Sequence, residues 1–244
     1  MGSKKAVFVT VKFFVFSAVL VCSALAVGNL VARQTNGTLF PVFSSQEGKE
    51  PEPVRTIVVD AGHGGMDGGA VSDDGVLEKD LNLAVAGKLV SLLRMGGVRV
   101  VMTRSDDRLL ADPSSAHKKR DDLASRVRIA EEQENAVFVS IHMNKFPVEK
   151  YRGLQVWYSR GNKQSAELAD AVQKKTAAVL QPQNTRETKA ADSSIYVLDH
   201  LDIPAILVEC GFLSNAEETR LLCDESYQNK LAAVLYAAII DYWK

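Results

Sequence analysis

Two histidines and two glutamates lie at the ends of segments that the sequence predicts to be strands or helices. His63 comes just after a β-branched segment, His142 ends a second one, and Glu209 ends a third. Glu78 directly precedes a predicted helix. In open α/β sheets the reactive groups gather at the carboxyl ends of the strands. The sequence therefore predicts that these four side chains meet at one edge of a sheet.

Two histidines with one glutamate are a common set of zinc ligands, and the set leaves a fourth position open for water. We expect His63, Glu78 and His142 to hold such an ion. Zinc lowers the pKa of its water to about 7, which makes that water a usable nucleophile near neutrality. Glu209 would take the proton of the water and later pass it to a leaving nitrogen. These residue types predict a metal-dependent hydrolase.

Each residue also has a structural explanation when it is taken alone. A histidine near a strand end is often a satisfied structural residue. Glu78 alone would be a carboxylate favoured by the dipole at a helix N-terminus. An acid such as Glu209, at the end of an apolar strand, is seldom buried without a partner. Because the residues are far apart in the sequence and no H-E-x-x-H motif joins two of them, these alternatives stay open.

The segment VVDAGHGGMDGGA around His63 is rich in glycine, which raises the alternative of a phosphate-binding loop. A dinucleotide fingerprint that starts at Gly62 needs a glycine where Asp67 stands, and no lysine–serine pair of the P-loop kind follows. A metal-binding loop is therefore favoured. Five glycines are expected to allow positive φ and to let a metal or substrate approach the backbone: Gly62, Gly64, Gly65, Gly68 and Gly69.

The remaining polar candidates fit this cluster less well. His117 lies in a charged segment that we interpret as solvated surface, and His200 precedes the last predicted strand at the end opposite Glu209. Arg104 and Arg126 could contact substrate, but we favour their pairing with nearby aspartates: Asp106, Asp107 or Asp122.

Short β-branched segments alternate with helical patterns through most of the chain. This alternation predicts one α/β domain with a twisted, mostly parallel or mixed sheet of about six strands and helices on both faces. Strands are predicted at residues 56–60, 98–103, 136–142, 154–159, 194–198 and 205–209. Helices are predicted at residues 79–95, 121–134, 165–180 and about 226–242.

The N-terminal residues 1–33 differ from the rest of the chain. Lysines precede an uncharged stretch at residues 13–32, which is long enough to cross a hydrocarbon core of ~30 Å at ~1.5 Å per residue. This predicts a transmembrane anchor with its N-terminus in the cytoplasm. A cleaved signal peptide is the alternative, since Ala24-Leu25-Ala26 resembles a cleavage site. The polar, proline-containing residues 34–54 predict a linker to an extracytoplasmic catalytic domain at 55–244.

Composition excludes some functions and leaves others open. The formal net charge is −1 with no long basic segment, which argues against nucleic acid as a partner. Of the three cysteines, Cys22 lies in the predicted anchor. Cys210 and Cys223 are expected to be small buried apolar residues rather than a disulfide.

Several motifs, taken together, resemble the zinc-dependent N-acetylmuramoyl-L-alanine amidases of the Amidase_3 type. VVDAGHGGMDGGA, EKDLNLAVA, VVMTR, FVSIHMN and ILVECGFLSN occur in this order across essentially all of residues 55–244. The resemblance implies hydrolysis of the amide between the lactyl group of N-acetylmuramic acid and the L-alanine of the stem peptide in peptidoglycan. AGHGG instead of the commoner PGHGG, and the methionine in IHMN, are mild departures.

The resemblance also implies roles for individual residues. His63, Glu78 and His142 match the zinc ligands of the family, and Glu209 matches its catalytic glutamate. Two flanking motif positions, Ser140 and Asn144, are expected to support the ligands rather than bind zinc.

A finer resemblance is to the germination-specific amidases of spore-formers. The predicted N-terminal anchor is short, and we expect neither added wall-binding repeats nor the long inserted helix of some division amidases. That subgroup removes stem peptides so that muramic-δ-lactam forms in spore cortex, which implies action between the forespore and mother-cell membranes. An activating partner protein is left open. The alternatives are a non-catalytic wall-binding module of the same fold and a zinc peptidase that cuts another wall peptide bond.

Overall fold

Within residues 55–243, the part that the computed structural model describes, six strands form one mixed sheet in the order β2-β1-β3-β6-β4-β5. Strands β1, β2, β3 and β6 run parallel, whereas β4 is antiparallel to β6 and parallel to β5. The prediction of one α/β domain with about six strands in a mixed sheet is confirmed. The strands are β1 (Thr56–Ala61), β2 (Arg99–Met102), β3 (Ala136–Asn144), β4 (Gln155–Tyr158), β5 (Lys189–Ala190) and β6 (Ala205–Phe212).

Helices cover both faces of this sheet, as predicted. The helices of the described residues are α1 (Glu78–Met95), α2 (Lys118–Glu131), α3 (Lys163–Val179), α4 (Tyr196–His200), α5 (Ala216–Cys223) and α6 (Glu225–Tyr242). Helices α1, α3 and α6 pack with one apolar cluster on one face. Helices α2 and α4 pack with a second cluster on the opposite face.

The alternation of side chains along the strands explains these two clusters. In β6, Ile206 and Val208 belong to the first cluster while Leu207 belongs to the second. A strand that is apolar on both sides must lie inside the sheet, because successive side chains point to opposite faces. The structure places β6 inside the sheet, between β3 and β4.

Helix α1 orients the first part of the site. Leu81, Val85 and Leu89 form a buried stripe at helical spacing. The helix ends at a glycine pair: Gly96 is its C-cap and Gly97 has a φ of 78°. A positive φ is readily adopted by glycine and ends a helix sharply.

Two parts of the predicted element order are wrong. Residues 194–198 form no strand, because the Asp192 side chain accepts a hydrogen bond from Ser194 N at 2.9 Å and the chain turns into the short helix α4. The sixth strand is instead the two-residue β5. Helix α5 is missing from the prediction, although Asn215 caps it by accepting from Glu218 N at 3.1 Å.

The predicted anchor at residues 1–33, the linker at 34–54 and Cys22 lie outside the described residues. From Arg55 to Trp243, no helix combines the length and apolar character needed to cross a membrane. Cys210 is buried and Cys223 is exposed, and both are free thiols. The expectation that Cys223 is buried is therefore wrong, because it lies at the exposed end of α5.

Candidate active site

The side chains of His63, Glu78 and His142 meet at the carboxyl edge of the sheet. One potential ligand atom from each lies within 4.8 Å of the others. His63 follows the end of β1, His142 lies in β3, and Glu78 is the first residue of α1. Three elements that are distant in sequence thus bring two imidazoles and one carboxylate together.

The Glu78 carboxylate lies between the two imidazoles. Its Oε1 is 2.9 Å from His142 Nδ1, and its Oε2 is 3.3 Å from His63 Nε2. Backbone N–H groups of Ala70 and Met143 donate to the same carboxylate at 2.7 and 3.1 Å. Burial alone would raise the pKa of Glu78, but the contacts with His142 and His63 hold that pKa well below its usual range. Glu78 is therefore an ionised acceptor at neutral pH.

Glu209 lies beside this group on the neighbouring strand. His142 of β3 and Glu209 of β6 are partners in the parallel register, so their side chains project from the same face of the sheet. The Glu209 Oε2 atom is buried and has no hydrogen-bond partner among the protein groups. Burial raises the pKa of Glu209 to about 7, although the nearby His142 opposes the shift. A carboxylate with this pKa can accept a proton near neutrality and release it again.

The donor set fits a zinc ion. Two nitrogens or oxygens bound to a tetrahedral zinc at about 2.1 Å are about 3.4 Å apart. The contacts of Glu78 with His142 and His63, at 2.9 and 3.3 Å, are close to that separation. Two imidazoles and a carboxylate also suit zinc chemically. The unpaired Oε2 of Glu209 lies beside these ligand atoms, where it can accept a hydrogen bond from a water at the open coordination position.

Asp67 orients His63, a contact that its place in the sequence does not reveal. Its Oδ2 is 2.9 Å from His63 Nδ1 and 2.8 Å from Lys119 Nζ. Burial opposes ionisation of Asp67, but hydrogen bonds from Lys119 and His63 lower its pKa to about 2. An ionised Asp67 can only accept, so Nδ1 of His63 carries the proton and Nε2 faces Glu78. The two residues are four positions apart, but they lie in a loop, where this spacing does not bring side chains together as it does in a helix.

Two glycines make room for the site's own side chains. A Cβ at Gly62 would lie 2.2 Å from His142 Nε2, and a Cβ at Gly69 would lie 2.6 Å from Glu78 Oε2. Of the loop glycines, Gly64, Gly65 and Gly69 have a positive φ, whereas Gly62 and Gly68 do not. Instead, His63 itself has a φ of 62°, a conformation that is uncommon for a residue with a Cβ.

Arg126 ties the loop after β1 to the domain. Its Nη1 donates to Asp60 Oδ1 at 2.6 Å and to the Ala61 carbonyl at 2.9 Å. Its Nη2 donates to the His63 carbonyl at 2.7 Å, and its Nε donates to Asp122 Oδ2 at 2.8 Å. The predicted pairing with an aspartate is confirmed, and the buried arginine stabilises the unusual backbone at His63.

Arg104 reinforces the same loop through backbone carbonyls. Its Nε donates to the Ala61 carbonyl at 2.8 Å, and its Nη2 donates to Gly62 at 2.9 Å and Lys79 at 2.8 Å. At Asp106 its Nη1 reaches the carbonyl, at 3.0 Å, rather than the carboxylate. The preferred pairing of Arg104 with an aspartate side chain is therefore wrong, because backbone groups take its hydrogen bonds.

Asp60 connects the arginine-stabilised loop to the neighbouring strand β3. Its carboxylate accepts from Ser140 Oγ at 2.5 Å and from Thr103 Oγ1 at 2.6 Å. Burial would raise the pKa of Asp60, but Arg126, Ser140 and Thr103 keep it below its usual value. Ser140 thus helps to fix the position of β1, the strand that leads into the site.

The remaining candidates lie away from the cluster. His117 is exposed at the start of α2. His200 is exposed at the end of α4, where its ring stacks on Tyr196 with centroids 3.8 Å apart. The backbone carbonyl of Asn144 accepts from Leu213 N at 2.7 Å and so joins β3 to the segment after β6.

An α/β domain with this donor set and a neighbouring unpaired carboxylate has the features of a metal-dependent hydrolase. Residues 57–241 match the Amidase_3 family, described as N-acetylmuramoyl-L-alanine amidase. The chain belongs to this family of peptidoglycan amidases.

Individual relatives agree with this assignment. The chain is 35% identical over 192 residues to the germination-specific N-acetylmuramoyl-L-alanine amidase of Bacillus subtilis (strain 168), across 78% of this chain and 80% of that protein. The CwlD amidase of Clostridioides difficile, solved in complex with the GerS lipoprotein, is 41% identical with a TM-score of 0.74, over 77% of this chain and 98% of that one. The amidase AmiC2 of Nostoc punctiforme is 31% identical with a TM-score of 0.68, over 78% and 98%.

Replacement of Arg126 by methionine should destabilise the domain strongly. The change leaves Asp60 and Asp122 as buried carboxylates without their cation, and loss of one partner of a buried pair typically costs about 3–5 kcal/mol. Arg128→Met, on the exposed side of the same helix, is the matched control and should change the free energy of unfolding by less than about 0.5 kcal/mol. Urea denaturation measures both, and equal losses would contradict the role of Arg126.

Because of Glu209, the protein should become less stable as the pH rises. Its pKa rises from 4.5 to about 7 on folding, so the folded state binds more protons than the unfolded state between these values. Stability from this group is therefore complete below pH 4.5 and is lost as pH rises toward 7. From pH 5 to pH 8, in the presence of a chelator, the wild type should lose about 2–3 kcal/mol more than Glu209→Gln. Glu131→Gln, at an exposed site, should follow the wild type in urea denaturation.

Proposed function

We propose that this chain is a zinc-dependent amidase that cleaves the bond between N-acetylmuramic acid and the L-alanine of the stem peptide. His63, Glu78 and His142 hold the ion, and Glu209 moves the proton. The observation that carries the proposal is the buried, unpaired Oε2 of Glu209 beside three converging ligand atoms. A wall-binding module has no use for a free carboxylate in that place, because an unsatisfied buried oxygen destabilises the fold.

The four side chains divide the chemistry among them. A bound zinc ion supplies Lewis acidity, which lowers the pKa of water and polarises a carbonyl. Glu209 accepts the proton of the attacking water, because its Oε2 has no competing hydrogen bond within the protein. It then donates that proton to the departing nitrogen of L-alanine. Glu78 is held ionised by the two histidines and therefore serves as a ligand rather than as the base.

Variants of the two glutamates should separate these roles. Glu209→Gln should keep its zinc but lower turnover by about 10²-fold or more, as loss of a general base does. Glu78→Ala should lower the zinc content, since it removes a ligand. The full-length chain, purified in detergent, is assayed on purified peptidoglycan for newly freed L-alanine amino groups, with metal content measured in parallel. Glu131→Ala, at an exposed position of α2, serves as the control for both measurements.

The same assay discriminates the two alternatives. Zinc-loaded, folded wild-type protein that frees no amino groups would favour the wall-binding module. Mass spectrometry of released fragments distinguishes a cut between lactyl group and L-alanine from a cut within the peptide, which would indicate a zinc peptidase. Full zinc occupancy in Glu78→Ala would show that Glu78 is only a carboxylate at a helix end.

The proposed cellular role is spore-cortex maturation outside the cytoplasmic membrane. Residues 1–33 anchor the catalytic domain 55–244 through the linker 34–54, and removal of stem peptides allows muramic-δ-lactam to form. The likeness to the germination-specific amidase of B. subtilis supports this role. The CwlD neighbour is in complex with a lipoprotein, which supports a partner protein for this chain as well.

Export and cortex function are tested in cells. In a spore-former that lacks its germination-specific amidase, the full chain should restore muramic-δ-lactam in the cortex, and Glu209→Gln should not. A chain that begins at residue 34 should fail to reach the membrane fraction and should restore nothing. Electrophoretic mobility of the membrane-bound protein distinguishes an uncleaved anchor from a processed signal peptide. Restoration by the truncated chain would contradict the role of the N-terminal segment.

A further inference from the structure

A cationic and aromatic cluster lies beside Glu209 on the β4 side of the sheet. We call Tyr151, Gln155, Arg186 and Phe212 the Arg186 cluster. The guanidinium carbon of Arg186 lies 4.6 Å from the ring centroid of Phe212 and 5.8 Å from that of Tyr151. The two rings are themselves stacked, with centroids 6.2 Å apart and an interplanar angle of 30°. Aromatic faces attract a cation and hold it in place, so Arg186 has a defined position.

The sheet register connects this cluster to the proposed base. Gln155 of β4 is the antiparallel partner of Glu209 in β6, so both side chains project from the same face. Gln155 Oε1 accepts a hydrogen bond from Arg186 Nη1 at 3.1 Å. Gln155 lies one strand spacing of about 4.8 Å from Glu209, and the hydrogen bond to Arg186 adds a side-chain length, so Arg186 is on the order of 10 Å from Glu209. An extended peptide covers that distance in about three residues.

The Arg186 guanidinium has capacity for an anion. Its hydrogen bonds go to neutral acceptors, Gln155 Oε1 and, from Nε, the Arg152 carbonyl at 2.7 Å. Among residues 55–243, no carboxylate lies within ion-pair distance of Arg186. The charge of nearby Glu218 is satisfied in part by backbone N–H groups of Gly153 and Phe212, both at 2.8 Å. A guanidinium has five N–H donors, so several remain for a ligand.

A cavity of about 530 Å³ adjoins the cluster and is lined by Arg186 and Tyr151. Lys150 also lines it and lies 5.7 Å from the Tyr151 ring, which adds a second positive charge. Arg152 contributes less, because it pairs with Glu217. The lining also includes the polar side chains of Gln181 and Asn184 and the carboxylates of Glu217 and Glu218. Three cationic side chains against two carboxylates leave the lining with a positive balance, and the cavity is large enough for a peptide segment that carries a carboxylate.

We propose that the Arg186 cluster is a carboxylate-binding subsite for the stem peptide, on the peptide side of the scissile bond. This rests on the proposed function, because the stem peptide continues from the L-alanine nitrogen released beside Glu209. A free carboxylate two or three residues along the peptide receives charge-assisted hydrogen bonds from Arg186. Tyr151 and Phe212 pack against the aliphatic part of the same residue. Arg186 therefore selects substrates with a free carboxylate over substrates in which that group is amidated.

The test measures binding without turnover. Full-length, zinc-loaded Glu209→Gln is titrated calorimetrically with a soluble muramyl tripeptide, in the free-acid form and in the form amidated at the peptide carboxylates. The free acid should bind about 10-fold more tightly, as expected for a hydrogen-bonded charge pair. Adding Arg186→Met should abolish this preference by weakening the free acid alone. Adding Arg94→Met, an exposed arginine at the end of α1, should leave the preference intact.

Other outcomes of this titration contradict the subsite. Equal affinity for acid and amide, or no binding of either, overturns it whatever the hydrolysis assay gives. If Arg186→Met lowers the affinity for the free acid and for the amide equally, Arg186 has a structural role instead. Unfolding curves of the variant test that interpretation. Weakened binding of a muramyl ligand without a peptide would assign the cluster to the glycan. In the otherwise wild-type enzyme, Arg186→Met should raise KM for the free acid about 10-fold at unchanged kcat, since uniform binding is lost.

Discussion

A carboxylate buried between two imidazoles is the constraint around which the site is built. Glu78 is 3% exposed and contacts both His63 and His142. Burial of a carboxylate is unfavourable unless charged or hydrogen-bonding groups surround it. The histidines and two backbone N–H groups satisfy that need in the protein itself. A divalent cation at the same point would satisfy it more fully, because the ligand oxygens and nitrogens already converge.

Buried polar contacts hold these side chains together although the loop after β1 has an unusual backbone conformation. The loop after β1 must place His63 at a φ of 62° and must pass close to His142 at Gly62. Two buried arginines stabilise this loop by donating to its consecutive carbonyl groups. Asp60 and Ser140 then link the loop to the neighbouring strand β3. The buried arginines, and not the glycines alone, therefore keep the two histidines in position.

Residue types and spacing predict much of the fold and select as candidates four residues that the structure brings together: His63, Glu78, His142 and Glu209. Apolar strands that end in His142 and Glu209 are visible because parallel strands share a carboxyl edge. Local patterns fail where a turn overrides a β-branched segment, as at residues 194–198. They also miss Asp67 and the Arg186 cluster, because these depend on a side-chain direction in a turn and on the register of β4 with β6. Such contacts form only when the chain packs in three dimensions, so no spacing pattern in a single sequence predicts them.

The ligand set is measured by zinc-edge anomalous diffraction from crystals of the zinc-loaded protein. One strong peak is expected about 2.0–2.2 Å from a nitrogen of His63, a nitrogen of His142 and an oxygen of Glu78, with Glu209 beside the open position but not bound. A peak that excludes Glu78, or one coordinated by Glu209 in its place, would show that His63, Glu78 and His142 are not the ligand set.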